Sequence, residues 1–88
     1  MPALLREAHL ETVLLTPNSP CIGRLIRELQ LRSETGASIV AIERAGKTLV
    51  NPGPDEELMA EDQILLLGSS EQIDRARRAM TRHGTAPV

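Results

Sequence analysis

The sequence predicts an α+β fold: one small β-sheet covered by helices, with elements in the order β-α-β-β-β-α. Three observations lead there. Residues 36–68 read GASIVAIERAGKTLVNPGPDEELMAEDQILLLG, in which short apolar runs are cut by turn chemistry at regular intervals. Ile22, Leu25, Ile26 and Leu29 instead stand at i, i+3, i+4 and i+7, the spacing of one helix face. The chain has 88 residues and no Phe, Tyr or Trp, so it has room for one core built from Leu, Ile, Val, Ala and Met.

Taken in order, residues 1–9 form an N-terminal extension or linker with enough helical propensity for one or two turns. Residues 10–16, LETVLLT, are the first strand, with Val13 and Leu15 facing one way and Thr12, Leu14 and Thr16 the other. Pro17-Asn18-Ser19-Pro20 is a turn. The helix after it has two possible starts: Ser19 and Pro20 read as an N-cap and first-turn proline, while Gly23 disfavours early helix. The spacing places it at about 23–31. Gly36 delivers the chain to a strand over 37–44, rich in β-branched residues. Ala45-Gly46 turns it into a short returning strand over 47–50, which Asn51-Pro52-Gly53-Pro54 stops. An acidic loop over 55–62 is expected to anchor through Leu58 and Met59. Residues 64–67 form the last strand. Ser69 followed by Gln72 reads as a capping box for a final helix, with Ile73, Ala76, Arg77 and Met80 at helical spacing. Residues 83–88 are expected to form a disordered tail, leaving 10–82 as the domain.

Composition restricts function. A chain this short buries only roughly 60–65% of the surface its unfolded form exposes, and without aromatics its core is thin. Pairing with a copy of itself, or with the rest of a larger protein, is the expected remedy. The apolar helix face Ile22, Leu25, Ile26 and Leu29, together with Ile39 on the second strand, supplies the candidate dimer interface. A net charge of −2, with arginines spread along the chain, argues against a nucleic-acid partner. No apolar stretch approaches bilayer length, and one cysteine, Cys21, fits a reducing compartment. The carboxylates of residues 55–62 lack the spacing of a calcium loop and read as solvated. His9 and His83 lie at opposite ends of the chain, and no metal site is expected. No nucleophile motif, phosphate-cradling loop or G-x-G-x-x-G is present, so neither enzymatic activity nor a cofactor is expected.

Three blocks of the sequence then stand together. SPCIGRLIRELQLR carries Ser19, Pro20, Gly23, Glu28, Leu29, Leu31 and Arg32; TGASIVAIERAG carries Thr35, Gly36, Ala37, Ala41, Ile42, Arg44 and Gly46; NPGPDEELMAEDQILLLG carries Asn51, Pro52, Pro54, Leu58, Asp62, Leu65 and Gly68. In this order and spacing they resemble the TrkA-C domain, also called the RCK C-terminal domain, over about residues 10–80. Two positions depart from the family pattern: Glu61 stands where a glycine usually precedes the aspartate, and Leu25 where a small or hydroxylated residue is common.

The resemblance implies a cytoplasmic regulatory domain of a potassium channel or transporter, or of a cation/proton antiporter. Such a domain works at the inner face of the membrane through its transporter partner and is commonly a homodimer. It also implies an effector in the cleft between protomers, with cyclic di-AMP the best-known one. By the same resemblance Arg44 would meet a phosphate, Ile42 would form an apolar wall for a base and Asn51 would supply a hydrogen bond. The alternative is an assembly module that dimerises transporter subunits and binds no ligand.

Overall fold

The computed structural model describes residues 7–81. Most of the expected extension over 1–9 and all of the expected tail over 83–88 lie outside the described residues.

Four strands form one antiparallel sheet: β1 (His9–Leu14), β2 (Ser38–Arg44), β3 (Lys47–Val50) and β4 (Gln63–Gly68), in spatial order β1-β4-β2-β3. The last strand therefore inserts between the first and second and occupies the centre. Its apolar run, Ile64–Leu67, suits a strand with neighbours on both sides. The register aligns Val13, Ile64, Ile42 and Leu49 across the sheet, and on the other face Thr12, Leu65, Ala41 and Val50. A register shift between Ile39 and Ala41 leaves Val40 as an extra residue in β2, a bulge that bends the strand within its pairing to β4.

The face carrying Val13, Ile42, Ile64 and Leu66 is buried against helix α3 (Ser70–Thr81), which contributes Ile73, Ala76 and Met80. The capping box at its start is formed as the sequence predicts. Ser69 N–H donates to Gln72 Oε1 at 2.8 Å, and Gln72 N–H to Ser69 Oγ at 3.1 Å. Arg77 of α3 pairs with Glu11 of β1.

The first helix departs from expectation. The apolar spacing over 22–29 does not sit on one helix. Two short helices take its place, α1 (Ile26–Leu29) and α2 (Leu31–Thr35), broken at Gln30, which adopts φ +49°. Gly23 takes φ +82°, a left-handed conformation closed to helix, and Leu25 is extended and pairs with Glu57. The periodic side chains still turn inward: Ile22, Ile26 and Leu29 pack against the core from a loop and one helical turn. Leu25 has no side chain that can cap the helix, and Glu28 Oε1 accepts the Leu25 N–H at 2.9 Å. That bond is the main reason the Glu28 carboxyl sits below its ordinary range.

The acidic loop is anchored through Leu58, which is fully buried, while Met59 is exposed. The second anchor is Asp62, a carboxylate sealed in the fold. It takes the place expected of Met59 because the loop turns on its side chain: Asp62 Oδ2 accepts the Met59 N–H at 2.9 Å.

Candidate ligand groove

An open groove of about 850 Å³ runs between the α1–α2 region and the β2 bulge. Ile26 and Arg27 line one side, Ser38, Ile39 and Val40 the other, and Asn51, Pro52 and Pro54 close one end. Each is there for a local reason. Val40 projects through the bulge. Asn51 adopts φ +53°, a left-handed conformation that asparagine tolerates better than most residues, and its N–H donates to Val40 O at 2.9 Å. Ile26 and Arg27 are held by backbone bonds to the acidic loop and the residue before it, Ile26 N–H to Glu56 O and Arg27 N–H to Pro54 O, both at 2.9 Å. Arg27 and Arg32 bring positive charge to the lining, and Arg27 shares its charge with Asp55 at 3.2 Å.

Of the three residues expected at a ligand site, only Asn51 lines this groove. Ile42 is fully buried in the core, because the β2 register points it towards α3. Arg44 is turned into the acidic loop. Its Nε and Nη2 donate to Asp62 Oδ1 and Oδ2 at 2.8 and 2.7 Å, Nη1 donates to Glu56 Oε2 at 2.9 Å, and Nη2 also reaches Glu57 O at 2.8 Å. Four of the five guanidinium N–H donors are thus engaged. The hydrogen bonds Arg44 donates to Asp62, and then the one it donates to Glu56, outweigh partial burial and hold the Arg44 pKa above its ordinary value. Burial alone would push the Asp62 carboxyl up. The Arg44 hydrogen bonds, the Met59 N–H and the Arg44 charge together overcome it, and the carboxyl sits below its ordinary range.

Among the expected interface residues, Ile26 and Ile39 line the groove, Ile22 and Leu29 are half-buried against the core, and Leu25 is half-buried beside the acidic loop. The sequence reading missed Asp62 as a structural carboxylate, although an aspartate immediately before a buried strand, at a position of the family pattern, was the available signal. It also missed Arg27 and Arg32, whose common groove depends on the break at Gln30. Cys21 is buried, and burial pushes its thiol up despite the Ser19 hydrogen bond and the nearby Arg24. Among the described residues no group of three or more His, Cys, Asp or Glu side chains is placed to hold a metal ion, and no helix is long and apolar enough to cross a membrane.

The model of the TrkA-C domain matches residues 10–81, most of the chain. The chain belongs to the TrkA-C domain family. Potassium channel protein 1 of Methanocaldococcus jannaschii is 30% identical over 64 residues, covering 73% of this chain and 19% of that protein. Ktr system potassium uptake protein C of Bacillus subtilis is 34% identical over 71 residues, covering 81% and 32%. This TrkA-C domain therefore spans a minor part of the length of both curated relatives. Among solved structures, the RCK_C domain dimer of S. agalactiae BusR in complex with c-di-AMP superposes with a TM-score of 0.74 at 33% identity, covering 80% of this chain and 92% of that one. Glu61 adopts φ +73°, a left-handed conformation that glycine takes without a Cβ penalty.

Proposed function

We propose that this TrkA-C domain is a cytoplasmic, ligand-sensing regulatory module of a potassium channel or transporter, or of a cation/proton antiporter. It works as a homodimer, and its groove takes cyclic di-AMP at the cleft between two copies. The observation that carries this reading is the groove itself. Its volume of about 850 Å³ falls within the range of small-molecule sites. It joins apolar surface from Ile26, Ile39 and Val40, fit to cover a purine, to the cationic Arg27 and Arg32, fit to meet phosphate. Asn51 adds a side-chain amide, which can donate and accept. The related BusR domain, dimeric and bound to c-di-AMP, supports both the dimer and the class of effector. Regulation then requires only that the ligand bind one arrangement of the two copies more tightly than another.

The commitment of Arg44 to two carboxylates favours a second reading, in which the domain only holds subunits in register and binds nothing. A dye-reported thermal melt separates the two, and a dye is needed because the chain has no Trp or Tyr. Cyclic di-AMP at about 100 times its Kd stabilises a native fold by roughly 2.7 kcal/mol, which for a domain of this size raises Tm by several degrees. The shift is expected in the wild type and lost in Asn51→Ala. A stable dimer with no shift establishes the assembly module.

A further inference from the structure

Arg44 is the best-connected cation among the described residues, and it lies off the groove. On one side it belongs to β2, and Asp62 ties the same cluster to the end of the first strand segment through Leu15 N–H to Asp62 O at 2.9 Å. On the other side it holds Glu56 by its side chain and Glu57 by its carbonyl. Those two residues belong to the segment that hydrogen-bonds the groove wall: Glu56 O receives Ile26 N–H, Leu25 pairs opposite Glu57, and Leu58 exchanges bonds with Gly23 and Arg24. Without the guanidinium, two carboxylates would face one another across this seam, one of them 1% exposed.

We propose that Arg44 is a positioning residue of the groove: through Glu56 and Asp62 it fixes the wall that carries Ile26 and Arg27, and it does not itself take the ligand's phosphates. Charge supports this. Arg44, Glu56 and Asp62 together carry a net negative charge, which repels an anion, whereas Arg27 and Arg32 stand on the lining. The inference rests on the cyclic di-AMP reading for its ligand, but the wall can be tested without any ligand.

Glu56→Gln decides it, because the two roles predict opposite signs. A phosphate-binding Arg44 released from Glu56 gains donors and loses a repelling neighbour, so cyclic di-AMP binds as well or more tightly. A positioning Arg44 loses its grip on the wall, and calorimetry reads a Kd weakened about fivefold or more, in line with a charge-assisted hydrogen bond. Amide hydrogen exchange, followed by NMR on the protein without nucleotide, is the second readout. Exchange at Ile26 and Arg27 is expected to rise about tenfold while Ile64 and Leu66 in β4 stay protected, a local opening that general destabilisation does not produce. Unchanged or tighter binding in Glu56→Gln overturns the proposal, as does unchanged exchange at Ile26 and Arg27. If the wild type binds no cyclic di-AMP, the ligand reading fails on its own, and the exchange result alone upholds or overturns Arg44 as the clamp of this wall.

Discussion

At the scale of single residues, the molecule departs from average chemistry at Asp62 and Glu61. The Asp62 side chain is 1% exposed and ionised because Arg44 meets it with two parallel N–H bonds at 2.7 and 2.8 Å. Removing one partner of a buried pair strands the other, so Arg44→Ala is expected to cost about 3 kcal/mol, read by denaturant melts. The pH dependence has a fixed sign. A carboxyl held lower in the folded state than in the unfolded chain stabilises the fold above the ordinary carboxylate pKa, roughly 4. That stability is lost as pH falls through the lower folded value. Melts between pH 5 and pH 2 should therefore show a steeper acid loss in wild type than in Asp62→Asn, which starts less stable at neutral pH. Glu61 is strained in the opposite sense, with a side chain at φ +73°. Glu61→Gly relieves a left-handed conformation worth about 1–2 kcal/mol, less the backbone entropy glycine adds to the unfolded chain. A net gain of roughly 0.5–1 kcal/mol is expected, seen as a Tm rise of about 2–8 °C.

At the scale of elements, the break between α1 and α2 and the docking of α3 determine what the domain can present. A continuous helix would have aimed Ile22, Leu25, Ile26 and Leu29 in one direction. The left-handed residues Gly23 and Gln30 divide it, so Ile26 faces the groove while Leu31 is buried beneath it. The α2–β2 junction is similarly constrained. Gly36 has φ +86°, and a Cβ there would meet the Gln72 side chain at 2.5–2.9 Å. Gln72 is also the second half of the α3 capping box, so the clash would disturb a cap. Gly36→Ala is expected to destabilise by about 2 kcal/mol, combining left-handed strain with partial loss of the cap, read as a lower denaturation midpoint.

At the scale of the whole molecule, the sheet has one face buried under α3 and the other open. The open face carries Leu10, Leu14 and Val50 at 60%, 45% and 70% exposure. The proposed dimer does not use the open face. It uses the groove edge, where Ile26 and Ile39 are half-buried in one copy. Ile39→Glu is therefore expected to convert a dimer to a monomer in light scattering, and Leu14→Glu on the open face to leave it dimeric. The reverse result would move the interface to the open face and separate it from the groove.

The sequence by itself determined the strands, the final helix and its cap, and the family. These follow from local rules: period-2 and period-3.6 apolar patterns, and turn residues that act within a few positions of themselves. The family resemblance, not a local rule, pointed to Asn51, which lines the groove. The sequence did not determine the break at Gln30, the burial of Ile42 or the partner of Arg44. The first depends on Leu25 being drawn into pairing with Glu57, and the second on β4 inserting between β1 and β2, which sets the face each β2 residue shows. The third depends on a contact 18 residues away in sequence. A guanidinium has the same fork for a phosphate as for two carboxylates, and only the tertiary structure, by bringing Glu56 and Asp62 to Arg44, decided which of them it holds.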